Sequence, residues 1–187
     1  MTFEQYLDWA DNHPGQYEFH GGNVIVMGVG TTKEHEAVVL NMAAAIRGHL
    51  GGRAAPCRLY LGGVCVRVDA ADKALYPDLH VTCHPDDRQD SRSSRHPVVI
   101  IEVLSKTTRD YDRGDKFDAY AQLESLQEYI LIDSLAQAVS VHRRIGAHEW
   151  RTLNLGPDGT LAVEALQFSL PVAQIYDETD VPLPRLV

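Results

Sequence analysis

The sequence predicts an α/β protein built on a central mixed β-sheet flanked by helices. Three observations predict it. Lys33 to about Leu50 carries Val38, Val39, Met42, Ala45 and Ile46 on one helical face. VVIIEVL, Val98–Leu104, is a nearly unbroken apolar run of the kind a strand covered on both faces shows, and a helical pattern follows it at about Arg109 to Leu123. EYILIDS, QAVSVHRR and HEWRTLNL then read as a meander of strands.

Taken in order, Thr2 caps a short amphipathic helix, with Gln5 three residues on as its capping-box partner, and HPG at His13–Gly15 stops it. QYEFHGGNVIVMG reads as a hairpin turning at Gly21-Gly22. The helix after GVGTT is closed by Gly51 and Gly52. RLYLGGVCVRVD is a strand pair or one bent strand, its glycines marking a bulge or turn, and ALYPDLHVTC is the next strand. HPDDRQDSRSSRHP is a polar loop and the segment expected to be most mobile. After VVIIEVL, its helix and the meander come a GPDG turn at Gly156–Gly159 and a final short helix begun by Pro171. The 187 residues hold no repeat and no long linker, so one domain over 1–187 is expected.

Composition narrows the function. A hydrophobic share of 44% and a charged share of 23% are those of a soluble globular protein. The formal charge of −9 argues against broad nonspecific binding to nucleic acid or anionic membrane, though not against a local basic site. No apolar stretch approaches a membrane span, and MTFEQYLDWADN is too polar for a signal peptide. Cys57, Cys65 and Cys83 are odd in number and form no CxxC pair, which favours reduced thiols and a cytoplasmic setting. No GxxxxGK[ST], GxGxxG or GxSxG element supports nucleotide or α/β-hydrolase chemistry. HVTCH places His80, Thr82 and His84 on one strand face, but the second ligand pair of a structural zinc site is missing.

The chemistry concentrates around Glu102, a carboxylate inside an apolar strand, which costs several kcal/mol unless paired or coordinated. If the strand carrying Asp78 pairs with that of Glu102, the two acids offer hard oxygen ligands of the kind Mg²⁺ or Mn²⁺ takes. Such an ion polarises a phosphodiester and lowers the pKa of water. Asp112, Lys116 and Tyr120, four apart, share one stripe of the following helix. On its own Asp112–Lys116 reads as an exposed ion pair worth roughly 0.3–0.5 kcal/mol. Beside Glu102, Lys116 becomes a candidate to orient water or stabilise a transition state. Arg88, Arg92, Arg95, Arg109 and Arg113 are candidate phosphate contacts, offset by Asp86, Asp87, Asp90 and Asp110.

The ordered series YE…GG…V, a histidine opening the next helix, PD, IEVLS, D…K…Y and EYILID resembles the Uma-type restriction endonucleases, a bacterial branch of the PD-(D/E)-x-K nuclease superfamily, from Tyr17 to about His142. The resemblance implies a restriction-endonuclease-like core of αβββαβ order and a metal-dependent phosphodiesterase site. Asp78 and Glu102 would be its metal ligands, and Glu18 and His35 match positions near the same site. The superfamily's lysine stands two residues after the second acid, where this chain has Leu104; Lys116 on the next helix takes its place, ahead of Lys106 in the loop. The implied function is a Mg²⁺- or Mn²⁺-dependent endonuclease with DNA as substrate, a homodimer supplying the basic groove one acidic chain lacks. The alternatives are a catalytically silent nuclease-fold module that binds DNA or a protein partner, and an interaction protein whose acidic cluster is incidental.

Overall fold

A computed structural model describes residues 1–28, 31–51 and 56–184. Helix α1 (Phe3–Ala10) starts with the expected capping box: the Gln5 amide donates to the Thr2 hydroxyl and the Thr2 amide to the Gln5 side chain. Strands β1 (Tyr17–His20) and β2 (Asn23–Val26) form the hairpin, with Gly21 and Gly22 at positive φ in its turn. Helix α2 (Lys33–Leu50) is capped by Thr32 and ends on Gly51 at φ 70°. Gly52 lies outside the described residues.

The next stretch alternates between two sheets. β3 (Arg58–Leu61) and β4 (Cys65–Val68) are joined through Gly62-Gly63 but belong to different sheets. The expected single strand ALYPDLHVTC is likewise two, β5 (Lys73–Leu75) and β6 (Leu79–Thr82), broken at Tyr76–Asp78 because Pro77 has no N–H to continue a ladder. The polar loop is structured: it holds a 3₁₀ turn (Asp86–Arg88) and the short strand β7 (Ser93–Ser94). Asp87 is buried there and accepts hydrogen bonds from the Thr82 hydroxyl and from the amides of Arg95 and His96.

After β8 (Pro97–Leu104) the expected helix is split. Gly114, at φ −111° and ψ −102°, separates α3 (Arg109–Arg113) from α4 (Asp115–Tyr120). β9 (Glu128–Asp133), β10 (Val139–Arg144) and β11 (Trp150–Leu155) form the meander; β12 (Thr160–Val163), β13 (Phe168–Pro171) and α5 (Val172–Ile175) complete the chain. Pro171 ends β13 and caps α5.

One sheet has the order β11-β10-β9-β8-β6-β3, with β8 and β9 parallel and every other pair antiparallel. Read as α2–β3–β6–β8–α3/α4–β9, it follows the αβββαβ order. A second sheet, β2-β1-β5-β4-β7, takes up the intervening strands. Alternation along β8 serves two cores: Val99, Ile101 and Val103 pack toward α2, whereas Ile100 and Leu104 pack with Tyr120, Leu126 and Tyr129 and with Val66, Val68 and Leu75 of the second sheet. A third cluster packs α1, through Phe3, Tyr6 and Leu7, on Phe19, Cys65 and Ala74 of the second sheet.

The expectation of three reduced thiols is corrected. β3 pairs with β6 in a register that carries Cys57 opposite Cys83, and the two form a disulfide. Only Cys65 is a free thiol, and it is buried. The compartment argument built on unpaired thiols loses that support. No helix among the described residues is long and apolar enough to cross a membrane.

Candidate active site

The seam between the two sheets gathers all six residues singled out in the sequence. Antiparallel pairing of β6 with β8 brings Asp78, just before β6, beside Glu102. Each is held by the other's segment: the Val103 amide donates to Asp78 Oδ2 at 2.7 Å, and the Asp78 amide to Glu102 Oε2 at 3.3 Å. Lys116 reaches in from α4, its Nζ 2.8 Å from Glu102 Oε1, 3.6 Å from Asp112 Oδ1 and 3.8 Å from Glu18 Oε1, and it donates to the Tyr76 carbonyl at 3.2 Å. Glu18 arrives from β1 of the second sheet, and His35, in the first turn of α2, places Nε2 3.4 Å from Asp78 Oδ2.

The cluster has a buried floor and an open rim. Glu18, Glu102, Asp112 and Lys116 are at most 4% exposed, whereas the Asp78 and His35 side chains keep 27% and 14% of their surface. The edge of the cluster open to solvent is therefore at Asp78 and His35. Leu104, where the superfamily has its lysine, lies on the same face of β8 as Glu102 but is packed in the apolar cluster with Tyr120 and Tyr129. Lys106 is exposed on the loop after β8, and the cation beside Glu102 is Lys116.

Burial sets the protonation. It pushes Glu102 well above the usual carboxylate range; the Lys116 charge opposes this, and Asp78 and Asp112 reinforce it. Asp112 is raised for the same leading reason. Burial alone would lower Lys116, but Glu102, Glu18 and Asp112 outweigh it and hold the ammonium above its ordinary value. At His35 the hydrogen bond and charge of Asp78 likewise outweigh burial, so its value is raised.

The residues fit a hard divalent cation. Four carboxylates face one ammonium and two imidazoles, His35 beside Asp78 and His20 beside Glu18, so the acids outnumber their basic partners. Glu102 Oε1 is buried and, apart from the ion-pair contact with Lys116, has no well-formed hydrogen bond. With Oδ2 taken by the Val103 amide, Asp78 has Oδ1 to offer.

Reading the sequence missed the scaffold around these groups. The Tyr111 hydroxyl donates to Glu18 Oε2 at 2.7 Å, and His20 Nε2 lies 3.1 Å from the same oxygen. The Tyr129 hydroxyl donates to the Asp112 carbonyl, and Arg109 grips both oxygens of Asp133 to fix the start of α3. Tyr111 sits one residue from Asp112 with no periodic signal, since its partner is 93 positions away. Three of the five candidate phosphate-binding arginines are engaged elsewhere: Arg92 with Glu4, Asp8 and Asp11, Arg95 with Asp69, and Arg109 with Asp133.

Fold and acidic seam together define a restriction-endonuclease-like protein. A crystal structure described as "a putative nuclease belonging to DUF820" from Anabaena variabilis ATCC 29413 superposes with a TM-score of 0.73, covering 94% of this chain and 97% of that one at 18% identity. The sequence profile of the Uma2 family, described as "Putative restriction endonuclease", matches residues 3–173, and the chain belongs to that family. Similar curated proteins include the uncharacterized protein slr1290 of Synechocystis sp. (strain ATCC 27184 / PCC 6803 / Kazusa), 29% identical over 94% of this chain and 91% of its own. The uncharacterized protein sll1609 of the same strain is 24% identical, over 80% of this chain and 84% of its own.

Proposed function

We propose that the protein is a metal-dependent endonuclease that hydrolyses phosphodiester bonds in DNA, with Asp78 and Glu102 holding Mg²⁺ or Mn²⁺. The observation that carries this reading is the buried ammonium of Lys116, 2.8 Å from Glu102, beside a second acid that still has an oxygen to offer. Membership in a family described as "Putative restriction endonuclease" supports the reaction class. The ion, when bound, supplies Lewis-acid polarisation of the phosphodiester and lowers the pKa of the attacking water.

The chain's own residues do the rest. Lys116, kept charged by its three carboxylate neighbours, presents a positive charge toward the place where negative charge develops on phosphorus oxygens. Asp112, at the end of α3 across the Gly114 break, and the Tyr76 carbonyl fix the direction of that ammonium. Glu18, pinned by Tyr111, completes the acidic floor. His35 holds a proton at Nε2 against Asp78 on the open rim, where a scissile phosphate arrives.

Incubation with plasmid and oligonucleotide substrates across Mg²⁺ and Mn²⁺ concentrations tests this. Cleavage should require the divalent ion, and Asp78→Ala and Lys116→Ala should each lower the rate by about 10²-fold or more. Cleavage that survives Asp78→Ala would come from a contaminant and sink the assignment. Calorimetry that finds no Mg²⁺ or Mn²⁺ binding to the wild type would favour the silent module.

A further inference from the structure

We propose that His84, Asp86 and His96 form a second metal site, suited to a borderline divalent ion such as Zn²⁺, at the end of the β6–β8 ladder remote from Asp78 and Glu102. The three side chains come from two segments, the turn after β6 and the residue preceding β8, and each offers a ligand atom within 4.8 Å of the other two. From Asp78 to His84 the chain runs six residues, about 20 Å at the rise of an extended strand, so the two sites are separate.

Donor chemistry sets the selectivity. The seam offers carboxylate oxygens beside an ammonium, which suits Mg²⁺ or Mn²⁺; this cluster offers two imidazoles and one carboxylate, which suit Zn²⁺ and its neighbours. Asp86 Oδ2 lies 3.8 Å from His84 Nδ1, whose long hydrogen bond from the Asp86 amide, 3.3 Å, would give way when that nitrogen takes a metal. Two ligands of a tetrahedral zinc stand roughly 3.4 Å apart for bonds of about 2.0–2.1 Å, so a few tenths of an ångström close the pair. The His96 ring lies beside that of His84, centroids 4.1 Å apart and planes tilted by 36°, so rotation about the side-chain torsions of these two residues brings their in-plane lone pairs to one ion.

The backbone under the site is already fixed. Buried Asp87, adjacent to Asp86, accepts the amides of Arg95 and His96 and the Thr82 hydroxyl. An open cleft of about 340 Å³, lined in part by Asp86, His96 and Arg95, borders the cluster and gives water access to the remaining coordination positions. The sequence could not supply the third ligand, because His96 follows His84 by twelve residues in a loop with no metal-site spacing. A bound ion would tie the two ends of that loop together.

Titration of the untagged full chain with Co²⁺, read by its visible absorption, and displacement by Zn²⁺ test the assignment. One saturable equivalent is expected that excess Mg²⁺ does not displace. His84→Ala, Asp86→Asn and His96→Ala should each weaken it at least about tenfold, while Asp78→Ala leaves it intact. His84 and Asp86 are exposed, so their variants should keep the wild-type circular dichroism and metal-free urea midpoint. Absence of saturable Co²⁺ or Zn²⁺ binding, unchanged affinity in His84→Ala and Asp86→Asn, or loss in Asp78→Ala would each overturn the proposal.

Discussion

Lys116 and Glu102 show how a single pair fixes a buried cluster. Removing Lys116 would strip Glu102, Glu18 and Asp112 of their shared cation, a loss of the kind that costs about 3–5 kcal/mol in a buried pair, whereas removing Glu102 leaves the ammonium still flanked by Asp112 and Glu18. Cys65 shows the opposite use of burial, as insulation. Packed beneath α1 and donating weakly to the Arg92 carbonyl, its thiol is pushed up to about 12 from 9.0, chiefly by burial. The folded chain thus keeps this proton when the unfolded chain gives it up. Stability from this group is fully present below pH 9 and is lost as pH rises toward 12. The thiolate fraction near neutral pH is about 10³-fold below that of a free cysteine. Titration with a thiol reagent should therefore find no reactive thiol in the native oxidised protein at pH 8, one in urea, and three in urea after reduction. A fast-reacting native thiol would contradict this packing, and three thiols in urea without reductant would contradict the Cys57–Cys83 bond.

At the scale of elements, what was legible in the sequence was whatever local pattern decides. The capping box at Thr2, the Gly-Gly hairpin, the face of α2 and the three-strand meander all follow from spacing; the spacing of Asp112 and Lys116 pointed to their contact, although the one helix expected to carry both is two. What was hidden depends on partners far along the chain. β3/β4 and β5/β6 read as continuous or paired strands because nothing local says that their halves belong to different sheets. The loop from His84 to His96 read as mobile because its polar residues anchor to one another and to buried Asp87, not to an apolar face. The split at Gly114 is a third case. An ordinary helix-interior glycine gains about 0.5–1 kcal/mol on replacement by alanine. Here ψ lies outside the helical range and a Cβ would stand 3.2 Å from the Asp110 carbonyl oxygen. Gly114→Ala should accordingly destabilise, by about 1 kcal/mol in urea unfolding, and, under the proposed function, slow cleavage by re-aiming Lys116 two residues on. A stabilised variant would mean that the break between α3 and α4 is not required.

The molecule as a whole places this cluster where two sheets and three helical segments meet. Glu18 comes from the second sheet, Asp78 and Glu102 from the first, His35 from α2, and Asp112 and Lys116 from α3 and α4. Burial of these carboxylates, and after it their mutual repulsion, opposes closing this seam and raises Glu102 and Asp112. A site arranged this way exchanges stability for binding capacity, and a cation that occupies it should return the difference. At matched ionic strength, Mg²⁺ at ten times its Kd should add about 1.4 kcal/mol to the unfolding free energy, and at a hundred times about 2.7 kcal/mol. Asp78→Asn separates this linkage from general screening of the −9 charge. The amide oxygen of asparagine can still accept from Val103, so the fold loses little, and relief of repulsion should leave the metal-free variant as stable as the wild type or more so. Its response to Mg²⁺ should vanish. Urea unfolding of both proteins with and without the ion reads all four states. An equal gain in both would place the bound cation elsewhere on the surface and remove Asp78 from the ligand set.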